Sequence, residues 1–188
     1  MHCIEDTQSA IAYLHDAANA VRLRSDAKNI VLVGHSMGGF VALEAGAFDS
    51  TIKEIVTISA ADLGTSRLQA VPVDKREFAV KGLAAGLVRE GMAPLAGTSP
   101  EKLANEVLSN ATKWSFLNLA PKLATRPLLV ITSDDGLAVP SNALVDAVEK
   151  LGNQKVTSIH ISTDHSYSDR RIALQQVILD NLRLLSQK

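Results

Sequence analysis

The sequence predicts an α/β fold, a mostly parallel sheet with flanking helices, on three observations. Short apolar runs recur at residues 30–33, 55–58, 128–131 and 156–161. Helix-patterned stretches fall between and around them, and strands alternating with helices imply parallel strands joined by helical crossovers. The 188 residues, 46% of them hydrophobic, are enough for one domain with a sizeable core.

The elements follow in chain order. Over residues 4–23, Ile4, Ile11, Leu14, Ala18 and Val21 recur at helical spacings with polar residues between them, which predicts one amphipathic helix. A loop at 25–28 leads into a strand at 30–33, whose β-branched residues and leucine suit a buried position. An alanine-rich helix over 37–46 and a second strand at 55–58 come next. The interval 63–125 is too long for a plain crossover. It holds helical patterns at 76–89 and 100–108, separated by the turn-forming GMAPLAGTSP, with Pro100 and Glu101 suited to a helix start. This interval is expected to be a small helical insertion over one end of the sheet, within a single domain spanning 1–188. Strands at 128–131 and 156–161 and a final helix over 169–185 complete the pattern.

Composition removes several function classes. A net charge of −1 provides no basic field for nucleic acid. No apolar run approaches the roughly 20 residues that cross a bilayer. The opening MHCIEDTQSA lacks the basic-then-apolar order of a signal peptide, and Cys3 is the only cysteine, so no internal disulfide is possible. A cytoplasmic location is expected. GHSMGG lacks the GK[ST] of a P-loop and the spacing of a dinucleotide fingerprint. No Cys/His cluster has zinc spacing, so neither metal nor cofactor is expected.

The chemistry concentrates in NIVLVGHSMGGFVALEAG, residues 29–46. Gly34-His35-Ser36-Met37-Gly38 matches G-x-S-x-G between a strand and a helix, as that motif requires. A serine at the tip of so tight a turn sits in strained backbone geometry, which asks for flanks without Cβ atoms. Its hydroxyl needs an oriented base. Among the five histidines, His165 follows the last strand and precedes the last helix, which places it at the same carboxyl edge as Ser36. His35 lies inside the turn and is expected to pack or hydrogen-bond locally, and His160, within an apolar strand, reads as a core histidine. An orienting carboxylate between serine and histidine in the chain is available at Asp134 or Asp135, just past the third strand.

GHSMGG, the DDG turn and TDHSYSDRRIALQQVILDNL resemble the α/β-hydrolase superfamily, specifically its small bacterial esterase-like members, from about residue 1 to the C-terminus. The resemblance implies Ser36 as nucleophile, His165 as base and an acid from the DDG turn. The family's G-x-x-D register would put Gly136 at the acid position, and a one-residue shortening restores Asp135. Asp134 is the alternative, and Asp62 in SAADLG is a third candidate, because some relatives take the acid from that strand. In the family several strands precede the elbow, and one of their loops donates half of the oxyanion hole. Here one helix precedes the first strand, so the fold is expected to be N-terminally truncated. The Met37 N–H then supplies one oxyanion donor and the second has no assignable source.

These readings lead to a serine hydrolase that cleaves carboxylic esters, with short acyl chains as the default, through a Ser36–His165–Asp135 triad and an acyl-enzyme. His35, Trp114, Phe116 and Leu137 are expected near the substrate. The competing expectation is an idle hydrolase-like fragment that serves as a binding module. An apolar first strand left as a sheet edge invites pairing with another chain, so a homodimer or higher homo-oligomer is expected.

Overall fold

The computed structural model describes residues 2–91 and 96–187. Part of GMAPLAGTSP lies outside the described residues. The chain begins with α1 (His2–His15) and α2 (Ala17–Leu23), where the periodicity predicts one helix. The break is local chemistry. Asp16 leaves helical geometry, at φ −64° and ψ 125°, and its carboxylate accepts the Asn19 N–H, which caps a new helix. Arg24 then closes α2 in the left-handed region, at φ 55°.

Four strands follow in order: β1 (Val31–His35), β2 (Glu54–Ile58), β3 (Leu128–Thr132) and β4 (Val156–His160), each parallel to its neighbour in the sequence β1-β2-β3-β4. Each strand lies within two residues of the expected limits. β2 and β3 are buried along their whole length, as inner strands covered on both faces must be. β1 and β4 are the edges and are partly exposed. The open side of β1 can be read from its ladder. The Ile30 C=O accepts the Lys53 N–H, and the Ser36 N–H donates to the Ile58 C=O. Even-numbered residues of β1 therefore face β2, and the peptide groups of Val31, Val33 and His35 face away from the sheet.

Side-chain alternation along the strands sorts the core into two faces. Ile55, Leu128 and Val130 pack with α3 (Met37–Phe48), α7 (Phe116–Leu123), α8 (Ala138–Lys150) and Ile11 of α1. Val56, Ile58, Leu129 and Ile131 pack on the other face with Tyr167 and with Leu174, Val177 and Ile178 of α9 (Arg171–Ser186). Between β2 and β3 lie α4 (Ser66–Gln69), α5 (Arg76–Arg89) and α6 (Pro100–Asn110). α5 and α6 occupy their expected positions and close around a separate small cluster, Val80, Ala84, Ala104 and Leu108. From Trp114 onward the interval rejoins the main core.

Candidate active site

Ser36 joins β1 to α3 at φ 56° and ψ −120°, a conformation a non-glycine residue holds only where its surroundings enforce it. Backbone hydrogen bonds do so here. Its N–H donates to the Ile58 C=O at 2.9 Å, and its C=O accepts the N–H groups of Gly39 and Ala61 at 3.0 Å each. The two flanking glycines of the motif are not equivalent. A Cβ on Gly34 would lie 2.0 Å from the Gly38 carbonyl oxygen, whereas one on Gly38 would meet nothing within 4 Å. The steric demand assigned to Gly38 from the motif falls instead on Gly39, where a Cβ would come 2.6 Å from that of Ala60. Met37 N–H heads α3, so it has no carbonyl partner one turn back in the helix.

At the same carboxyl edge, His165 Nδ1 lies 2.7 Å from Asp135 Oδ2, with the imidazole about one-third exposed and the carboxylate nearly buried. Asp135 Oδ1 accepts the Leu137 N–H at 2.8 Å. Burial alone would raise the Asp135 pKa. Hydrogen bonds from His165, the Leu137 N–H and the Ser59 and Ser133 hydroxyls outweigh it and bring the value down to about 2. The acid is therefore ionised wherever the imidazole works as a base.

The other two acids are engaged elsewhere. Asp134 faces outward, with Oδ1 3.0 Å from His160 Nε2 and Oδ2 accepting the Ser162 hydroxyl at 2.5 Å. His160 is thus not a core histidine. It sits half exposed on the edge strand β4, with Nδ1 3.0 Å from the Thr132 hydroxyl. Asp62 accepts the N–H groups of Gly64 and Phe116, and burial raises its pKa. That carboxylate ties the start of the interval between β2 and β3 to the N-terminus of α7.

His35 packs locally, as the sequence implies. Its ring lies 4.5 Å from that of His165, and its Nε2–H donates to the His165 C=O at 2.8 Å. The neighbour of Ser36 in the chain thus holds the loop that carries the base. Among the described residues no hydrogen bond joins Ser36 Oγ to His165, a contact that commonly closes only when substrate binds. Trp114 and Phe116 are core residues, 3% and 1% exposed, with Trp114 edge-on to Phe40. Leu137 is partly exposed beside Asp135.

A groove of about 320 Å³ opens beside the elbow, lined by Cys3 and Thr7 of α1, Leu32 and Val33 of β1, and Met37, Gly38, Val41 and Ala42 of α3. A larger depression of about 710 Å³, bordered by Lys28, Lys53, Arg126 and Lys155, lies at the opposite, amino end of the strands. Three buried hydroxyls beneath Asp135, those of Ser59, Ser133 and Tyr167, escaped the sequence reading. Their only sequence signal is position, because each directly follows a strand or lies in the His165 loop.

The model of the α/β-hydrolase family matches residues 4–173, and the chain belongs to that family. Among solved structures it is similar to a putative non-heme bromoperoxidase from Mycobacterium tuberculosis, with a TM-score of 0.60 at 16% identity over 97% of this chain and 73% of that one. It is also similar to an esterase from Pyrococcus furiosus, with a TM-score of 0.57 at 16% identity over 98% and 60%. An esterase from Pyrobaculum calidifontis gives a TM-score of 0.61 at 20% identity over 93% and 58%. The chain thus spans about three-fifths of the length of these two esterases. Comparison with curated proteins gave no match.

Proposed function

We propose that the chain is a serine hydrolase that cleaves carboxylic esters with short acyl groups. The observation that supports this reading is a His165 imidazole held at 2.7 Å by a buried, ionised Asp135 at the same sheet edge as a strained, glycine-flanked Ser36. Asp135 accepts a hydrogen bond from the Nδ1–H, which leaves Nε2 as the free base. Nε2 takes the Ser36 hydroxyl proton while Oγ bonds to the ester carbonyl carbon, and the carbonyl π pair moves onto its oxygen. The Met37 N–H stabilises that oxyanion. Collapse of the adduct breaks the bond to the alcohol, which leaves with the Nε2 proton. Water then repeats the sequence on the acyl-enzyme and frees Ser36.

Two features support a second reading, an idle hydrolase-like binding module. Only one oxyanion donor is assigned, and losing one typically costs about 10²–10³ in rate. Among the described residues, no strand pairs with the outer edge of β1 beside Ser36. Hydrolysis of p-nitrophenyl acetate by the wild type and by Ser36→Ala separates the readings. Turnover that Ser36→Ala abolishes establishes the enzyme, and equal background rates for both folded proteins establish the module.

A further inference from the structure

We infer that Ser59, Ser133 and Tyr167 form a buried hydroxyl cluster whose task is to hold and partly neutralise Asp135, which makes them positioning residues for the His165 base. The inference rests on the proposed triad. The three hydroxyls come from three separate strand ends, after β2, after β3 and in the loop after β4, and each residue is 1% exposed. Ser59 Oγ is the hub, 2.9 Å from Ser133 Oγ and 3.0 Å from Tyr167 Oη. Both Ser59 and Tyr167 hold left-handed backbone conformations, at φ 45° and 53°. Such geometry is costly for side-chain-bearing residues and persists where the surroundings over-determine it.

Proton counting gives the cluster its direction. Three hydroxyls carry three protons, but two oxygen–oxygen links use only two, so at least one proton requires an acceptor outside the trio. The ionised acceptor beside it is Asp135, whose carboxylate both serine hydroxyls stabilise. Tyr167 also follows His165 by two residues, and its N–H donates to the Asp164 C=O. The same cluster therefore fastens the base's loop to the acid's turn. His165 faces Asp135 and the His35 ring, whereas Asp134 pairs with His160.

Removing a donor from Asp135 leaves more negative charge to hold the imidazolium, so His165 should surrender its proton at higher pH. Ser59→Ala and Ser133→Ala should move the acid limb of the kcat/KM profile to higher pH and lower kcat about 10- to 100-fold, with KM little changed. Tyr167→Phe, nearly isosteric, should move the limb in the same direction by less. Ser133→Thr, which keeps a hydroxyl, should restore the wild-type limb. A role in packing alone lowers the melting temperature but leaves the limb where it was, and folded serine variants with an unmoved limb overturn the inference. If both serine variants unfold, the limb of Tyr167→Phe decides in the same way. If the wild type turns over no ester, the proposed reaction fails but the inference is still tested, by NMR titration of the His165 imidazole. An upward shift in the variants upholds it, and superimposable titrations refute it.

Discussion

Asp135, Asp134 and Asp62 are three carboxylates within reach of one sequence argument, and their partners separate them. Asp135→Asn removes the charge that steadies the imidazolium and should lower kcat by about 10⁴, as in comparable triads. Asp134→Asn loosens only the His160 and Ser162 contacts and should leave kcat within about threefold, since exposed pairs contribute little. Asp62→Asn keeps an oxygen for the Gly64 and Phe116 N–H groups and removes a buried charge, so activity and melting temperature should hold. Steady-state kinetics and thermal melts of the three variants check the ranking. Severe loss in Asp62→Asn alone would move the acid to β2. The Asp135 pKa of about 2 also carries a pH signature. A depressed carboxylate contributes stability above its unfolded value of about 3.9, and that contribution, about 2 kcal/mol, is lost as pH falls from there toward 2. Denaturant midpoints of wild type and Asp135→Asn should therefore converge over that range. The Ser36 turn and the Asp135–His165 contact were legible because order and strand-end position constrain these residues. The outward turn of His160 was not, because exposure on an edge strand depends on which strand lacks a neighbour.

The elbow of β1 and α3 makes a prediction at the scale of elements. Gly34→Ala places a methyl group into the Gly38 carbonyl and should prevent formation of the turn, leaving little folded protein. Gly38→Ala meets open space at the start of a helix, and it should fold at least as well as the wild type, by up to about 1 kcal/mol from helix propensity. Chemical denaturation of the two variants measures the contrast, and equal losses would show that the motif glycines are equivalent after all. Strands and amphipathic helices were readable to within a few residues because burial imposes their period. α7 and α8 were not read. Pro121 and Pro140 blur their pattern, although Pro140 occupies the first turn of α8, where its missing N–H costs little. The break at Asp16 was hidden because apolar spacing runs straight across it, and only the capping bond to Asn19 marks it.

At the largest scale, β1 is an edge strand of the sheet that the described residues form. Val31, Val33 and His35 direct their peptide groups away from the sheet, and Val33 is 49% exposed. On the face that β1 shares with α9, no α9 residue is fully buried, and Leu179 and Leu184 are 49% and 61% exposed. An unpaired strand beside an apolar face favours association. We therefore propose a homo-oligomer, most simply a two-fold dimer, in which a partner covers this edge and contributes to the site. Sedimentation across a dilution series should show dissociation, with esterase activity per chain falling in step. A folded monomer of undiminished activity at micromolar concentration would contradict it. Covalent capture asks whether Ser36 is a nucleophile activated by His165 and Asp135. A fluorophosphonate should add once to the wild-type chain, with peptide mapping placing the adduct on Ser36. It should react far more slowly with His165→Ala and Asp135→Asn and not at all with Ser36→Ala. A folded wild type that stays unlabelled, or one labelled equally in all four proteins, would contradict the account.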